Sequence, residues 1–216
     1  MRVIDHGNEI VEFAGFIKNP QNIIENLLAL DEDESLHQVL TPFEEWKEGS
    51  HNENGEFEYN VVKGRKKLVH WDTAQHYYPE AAKVVKELVL DPICVPFDEC
   101  IEIYSSIVDV KPEPASRNLD IRVYSPGEGL RPHGDINNRI QNQYSFVIYL
   151  NDDYTGGELT FVEEKVTISP EAGTIVAFPS LSVHEALPTI EGLKWHIPYF
   201  WYLGFGRVMC NKETAW

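Results

Sequence analysis

Three things are scarce in this chain. Cysteine is the first: Cys94, Cys100 and Cys210 are an odd three in 216 residues, without metal-type spacing, which argues against a disulfide framework and fits a reducing compartment. Long apolar runs are the second. No stretch approaches the roughly 20 apolar residues that a membrane-spanning helix needs, and the start, Met1-Arg2-Val3-Ile4-Asp5, meets charge before any such run. A cytoplasmic protein with no membrane segment is expected. Basic residues are the third: 18 Lys and Arg stand against 35 Asp and Glu, a formal charge of −17. The average field therefore repels phosphate backbones and anionic lipid, so neither nucleic acid nor a membrane surface is the expected partner.

What is present is enough for one sizeable core. Apolar residues make up 43% and aromatic residues 12% of the chain, with no repeat, low-complexity segment or linker, so residues 1–216 are expected to form a single domain. Residues 1–110 read as a helical layer. Apolar side chains recur at helical spacing after Pro20 and after Pro79, and Ile101, Tyr104, Ile107 and Val108 share one helical face within 96–108. Between the first two lies an acidic stretch, 31–58, with ten carboxylates against the single Lys47, which reads as a solvated loop region. Residues 57–70 suggest a hairpin turning at Lys63-Gly64.

From Leu119 the pattern changes to short β-branched and aromatic runs between Gly and Pro turns. Seven strands are expected, at 119–124, 144–150, 159–162, 165–168, 174–178, 183–186 and 195–203. With no helical pattern between them, they indicate a sandwich or jelly-roll barrel with the N-terminal helices packed outside one sheet.

Inside this half, His133-Gly134-Asp135 sets an imidazole and a carboxylate two positions apart, on one face of an extended chain. His70-Trp71-Asp72 has the same spacing but lies just ahead of the helix near Pro79, where it reads as turn and packing residues. A third ligand should come from another strand of the barrel, and His184, 49 residues beyond Asp135, supplies it. Two imidazoles and one carboxylate leave metal positions open, a ligand set suited to non-haem Fe(II) catalysis and not to structural zinc. Ten residues on, Lys194 opens an aromatic β run, where its ammonium can neutralise the far end of an iron-bound dicarboxylate. A rival assignment takes His196 as the distal ligand and Arg207, 11 residues later, as the anchor. The turn Pro188 to Leu193, which would return Lys194 towards the site, favours His184. His6, His37, His51 and His76 have no partner spacing.

Over residues 119–201 the sequence resembles the prolyl 4-hydroxylase-like branch of the Fe(II)/2-oxoglutarate-dependent dioxygenases. The motifs run in order: Tyr124-Ser125-Pro126-Gly127 leading to His133-Gly134-Asp135, Tyr149-Leu150-Asn151-Asp152, Gly156-Gly157-Glu158-Leu159-Thr160-Phe161, Pro170-Glu171-Ala172-Gly173-Thr174 leading to Phe178, and His184 with Gly192-Leu193-Lys194. The resemblance implies an α+β, mainly β fold: a double-stranded β-helix (jelly-roll, cupin-like) barrel. It implies that His133, Asp135 and His184 bind Fe(II), that Lys194 pairs with the distal carboxylate of 2-oxoglutarate, and that Tyr124 and Tyr149 contact this co-substrate. O2 would be the second co-substrate and ascorbate an accessory reductant. Asn142 and Ser145 stand where many members carry Arg and Thr, and Trp201 falls one place late, with Phe200 at the expected position.

The lysine anchor resembles prolyl 4-hydroxylases, whereas alkylated-base demethylases and several small-molecule oxygenases of the superfamily use arginine. The implied activity is hydroxylation of a prolyl residue in a peptide or protein. The alternatives are hydroxylation of a free amino acid or other small metabolite, and, in another class, a jelly-roll binding protein without turnover. Residues 31–70 are the candidate lid, their acidity suiting a neutral or basic substrate at the rim. Gly156-Gly157 reads as a turn between strands, and Glu158 beside it as chemically inert.

Overall fold

The computed structural model describes residues 1–51, 57–111, 116–135 and 143–202. Asn142, Arg207, Cys210 and the end of the last expected strand lie outside the described residues, as do 52–56 of the candidate lid. In chain order the elements are β1 (Arg2–Asp5), β2 (Val11–Ala14), α1 (Pro20–Asp31), β3 (Glu44–His51), β4 (Phe57–Val69), α2 (Trp71–Tyr77), α3 (Pro79–Val85) and α4 (Asp91–Ile107). There follow β5 (Leu119–Tyr124), β6 (Leu130–His133), β7 (Gln143–Tyr149), β8 (Thr155–Gly156), β9 (Leu159–Phe161) and β10 (Val166–Ile168). The last are β11 (Ile175–Pro179), β12 (His184–Ala186), β13 (Thr189–Glu191) and β14 (Lys194–Tyr202).

An eight-stranded antiparallel sheet runs β1-β2-β11-β7-β14-β5-β4-β3, a second of four strands runs β10-β9-β12-β6, and β13 pairs with β8. This is the mainly β jelly-roll expected, with helices on one face of the larger sheet. The two-residue period of a strand divides each central strand between two cores. Phe146 and Ile148 of β7, and Ile175 and Ala177 of β11, join the helices in one core. Their neighbours Val147, Tyr149, Val176 and Phe178 join Leu159, Phe161 and Ile168 of the smaller sheet in the other. Phe97 of α4 is fully buried and edge-on to Phe146 and Tyr199, at ring-centroid distances of 5.1 and 4.9 Å. Tyr104, two turns on, packs against Phe13, Tyr144 and Phe146.

The first 110 residues depart from a helical layer in three ways. They supply four strands, two at each edge of the larger sheet. The acidic stretch is not all loop, because 44–51 forms β3, and the 57–70 hairpin is instead one long strand, β4, whose partner is β3. Gly64 lies inside β4 and does not turn it; nearness in sequence suggested a local hairpin, and the upstream acidic segment won the pairing. The fourth helix also starts earlier than Pro96. It runs from Asp91 with Pro96 inside it, and it continues directly from a wider helical turn at 86–90 that leads in from α3. The seven strands expected after Leu119 are present within two residues at each described boundary.

Candidate metal centre and its cleft

Two short strands of the smaller sheet bring the histidines together. His133 ends β6, His184 begins β12, and the two are direct cross-strand partners with ring centroids 4.4 Å apart. Asp135 is two residues past the end of β6, and its backbone N–H donates to the Ser180 carbonyl at 2.9 Å, which ties this loop residue to the end of β11. Its two carboxylate oxygens face one imidazole each: Oδ1 is 3.4 Å from His133 Nε2, and Oδ2 is 3.5 Å from His184 Nε2. The three ligand atoms lie within 4.8 Å of one another.

Backbone contacts fix which nitrogen each histidine presents. His133 Nδ1 lies 2.7 Å from the Arg131 carbonyl and His184 Nδ1 2.9 Å from the Ser182 carbonyl. A carbonyl can only accept, so Nδ1 carries the proton and the Nε2 lone pairs point at the Asp135 side of the site, as a metal requires. Burial holds His184 below the usual imidazole pKa despite the opposing pull of Asp135, so it stays neutral. Burial also works to raise Asp135, but the neighbouring His133 and His184 rings and the Ser145 hydroxyl outweigh it and keep the carboxyl below its ordinary value. Two imidazoles whose Nε2 atoms converge beside a carboxylate held below its ordinary pKa, with ligand positions left over, fit Fe(II).

A cleft open to solvent runs between the sheets from this triad, lined across from it by Arg122, Tyr124, Tyr149, Lys194 and His196 of the larger sheet. Lys194 is 1% exposed. Its Nζ donates to the Gly157 carbonyl at 2.5 Å and sits 5.2 to 6.0 Å from the ring centres of Tyr149, Tyr124 and Tyr154. Among the described residues no carboxylate lies within ion-pair distance of it. Burial lowers its pKa to about 8, against a weaker raising influence from Glu158. Glu158, read from sequence as inert, thus supplies part of the field on the lysine. Burial pushes the Tyr124 hydroxyl up to about 12 and Tyr149 well above its usual value, so both are neutral O–H groups.

The structure brings together His133, Asp135 and His184, and sets Lys194, Tyr124 and Tyr149 in the same cleft. His196 lies on β14 of the opposite sheet, paired in register with Tyr149 and Arg122, and is outside the ligand cluster. Asp72 of the second His-x-Asp copy caps local structure: its N–H donates to Asn118, and its carboxylate accepts from Ser116. The sequence reading missed Arg122, although its two-residue offset from Tyr124 within an expected strand puts both on one face. It also missed Tyr154, which nothing but tertiary packing brings to Lys194.

Residues 119–202 match the family model of the 2OG-Fe(II) oxygenase superfamily. No curated protein sequence matches the chain. Among solved structures, a Pseudomonas putida prolyl-4-hydroxylase is similar with TM-score 0.59 and 19% identity, covering 91% of this chain and 94% of the other. A viral collagen prolyl hydroxylase from Paramecium Bursaria Chlorella virus-1, in a 2OG complex, gives 0.53 and 14% over 90% and 96%. A prolyl hydroxylase from Trichoplax adhaerens, in complex with a hypoxia inducible factor oxygen degradation domain peptide fragment, gives 0.54 and 16% over 90% and 83%. The match over 119–202, together with the prolyl hydroxylase neighbours, supports a 2-oxoglutarate-dependent Fe(II) oxygenase. The fold of the chain is that of the prolyl 4-hydroxylases, and the cofactors of the family are Fe(II), 2-oxoglutarate and O2. No helix among the described residues is long and apolar enough to cross a membrane.

Proposed function

We propose that this protein works as a single domain that hydroxylates a prolyl residue in a peptide or protein, in the cytoplasm. His133, Asp135 and His184 hold the iron, and Lys194 holds the distal carboxylate of 2-oxoglutarate. Bound Fe(II) supplies oxidative decarboxylation of 2-oxoglutarate, giving succinate and CO2, coupled to insertion of oxygen into a C–H bond. The residues do the positioning. The two Nδ1–H groups, pinned on carbonyls, aim both Nε2 atoms at the metal position; the Tyr124 and Tyr149 hydroxyls stay protonated and can donate to co-substrate oxygens; Phe161 and Phe178, packed edge-on with centroids 5.0 Å apart, pack against the back of His184.

The observation that carries this reading is Lys194, a buried ammonium without a carboxylate partner among the described residues, lining the same cleft as the triad. Such a charge costs several kcal/mol unless an anion joins it. The lysine anchor, the solvent-open cleft and the prolyl 4-hydroxylase-like fold together support a peptide over a small metabolite. The test is succinate release with proline-containing peptides, free amino acids and methylated oligonucleotides, each with and without Fe(II). Iron-dependent succinate release with hydroxyproline in a peptide is expected. Turnover confined to free amino acids would refute the peptide assignment, and absence of 2-oxoglutarate decarboxylation with every substrate would revive a binding protein.

A further inference from the structure

The cleft face of the larger sheet carries two polar groups that the reading above leaves unused, Arg122 and His196. Strand register places them. Lys194 is opposite Tyr124, and His196 is opposite Arg122. Successive same-face pairs on a sheet are about 6.6 Å apart, so a second nitrogen-bearing pair lies one step along the cleft from the Lys194–Tyr124 pair. An extended five-carbon diacid has its carboxyl carbons about 5 Å apart, from four C–C bonds of ordinary length. The spacing suits a ligand whose two carboxylates each meet one of these pairs.

Arg122 is held rigidly. Its Nε and Nη2 both donate to Oδ2 of Asp120, at 3.1 and 2.7 Å, and its guanidinium lies 4.1 Å from the Trp46 ring centre. Trp46 also lies parallel to Tyr124, 6.2 Å away at an interplanar angle of 6°. Gly64, opposite Trp46 on β4, is what leaves room beside Tyr124: a Cβ there would come within 2.6 Å of the Val123 carbonyl and 2.8 Å of Tyr124 Cδ1. With one edge spent on Asp120 and one face on Trp46, the remaining guanidinium donors are available towards the Tyr124 hydroxyl and the cleft, where Asp135 feels the charge. His196 is 6% exposed, its buried Nδ1 without a hydrogen-bond partner of normal geometry. Its ring packs against Tyr124 with centroids 4.5 Å apart.

We propose that Arg122 and His196 bind the carboxylate adjacent to the 2-oxo group of the co-substrate, so that the larger sheet grips both ends of the diacid while the triad on the facing sheet holds the metal. This rests on the reading that Lys194 takes the far carboxylate. Arg122 supplies charge-assisted donors to the near carboxylate, His196 supplies an imidazole N–H, and Trp46 with Asp120 fixes the plane of the fork.

The test is the dissociation constant of 2-oxoglutarate on the Mn(II)-loaded protein, followed by tryptophan fluorescence, for wild type, Lys194→Met, Arg122→Met, Arg122→Lys and His196→Leu. Arg122→Met and His196→Leu are each expected to weaken 2-oxoglutarate at least about tenfold, the loss of one hydrogen bond to a charged group. Arg122→Lys should restore part of it, and the affinity for Mn(II) alone should not change. Under anaerobic conditions, the visible charge-transfer absorption of the Fe(II)–2-oxoglutarate chelate should shift in Arg122→Met. If Lys194→Met weakens binding while Arg122→Met and His196→Leu do not, this proposal is overturned and the anchor reading stands; if Lys194→Met has no effect, the anchor reading itself fails. A rise in KM for the hydroxylated substrate alone would assign the pair to that substrate and overturn the proposal, as would a parallel loss of Mn(II) affinity. His196→Leu sits on a different strand from Arg122 and keeps the test alive should an Arg122 variant not fold.

Discussion

Replacing Lys194 by methionine should make the protein more stable and unable to bind its co-substrate. Burial brings the lysine pKa from 10.5 down to about 8, which corresponds to about 3 kcal/mol charged against the folded state at neutral pH. Methionine fills nearly the same volume with a flexible apolar chain and removes that charge. It also leaves the Gly157 carbonyl without its donor, at about 1–2 kcal/mol. The expected balance is about 1–2 kcal/mol in favour of Lys194→Met, or roughly 2–8 °C in Tm for a domain of this size. The sign with pH follows from the depressed folded pKa. Wild type loses stability as pH falls from 10.5 through 8, so the advantage of the variant is complete below pH 8 and disappears as pH rises to 10.5. Adding 2-oxoglutarate at a hundred times its dissociation constant should stabilise wild type by about 2.7 kcal/mol and leave the variant unmoved. Thermal unfolding of both proteins at pH 7 and pH 10, with and without 2-oxoglutarate, checks this. A variant that melts below wild type at pH 7 without co-substrate, or that still gains stability from 2-oxoglutarate, would refute the reasoning.

His184→Ala should abolish retention of iron, whereas His196→Ala should retain it, as read by metal analysis after desalting; equal losses would restore the rival ligand. Gly64→Ala should cost about 1–3 kcal/mol, because the Cβ meets backbone at 2.6 Å and φ there is +147°, and urea unfolding measures it. Phe97→Ala should cost about 3–5 kcal/mol yet leave Mn(II) affinity intact, since Phe97 belongs to the core between helices and sheet and not to the one between sheets. Lost metal affinity in that variant would show that the two cores are not energetically separate.

The clustering of the three candidate ligands was more legible in the sequence than the short strands that deliver them. His133, Asp135 and His184 could be picked out because a metal demands residue types and a spacing that survive any loop length between strands. The strand carrying His133 could not, since β6 is four residues long and contains Pro132. Proline is tolerated there because β6 is the edge of its sheet in the order β10-β9-β12-β6. The strands β1 and β2 are also four residues each, too short for alternation to stand out. In β3 the carboxylates that suggested a solvated loop lie on an edge strand, where charge is expected to discourage further pairing. Lys194 was legible as a cation at a strand start, but its isolation from carboxylates among the described residues depends on which strands enclose it, and that is a property of the packed barrel.

The charge of −17 and a dianionic co-substrate are compatible for a physical reason. Exposed carboxylates more than about 8 Å away are largely screened at physiological salt, while a buried ammonium acts through a medium of far lower effective dielectric. Within the cleft the nearest fixed charges are therefore decisive: Lys194 has no carboxylate in contact among the described residues, and Arg122 has committed one edge to Asp120. A dianion approaching the protein meets repulsion, which slows encounter; once inside, it meets cations whose desolvation the fold has already borne. On the proposed anchoring, an acidic exterior is expected to slow encounter with anions while the few buried charges set the affinity.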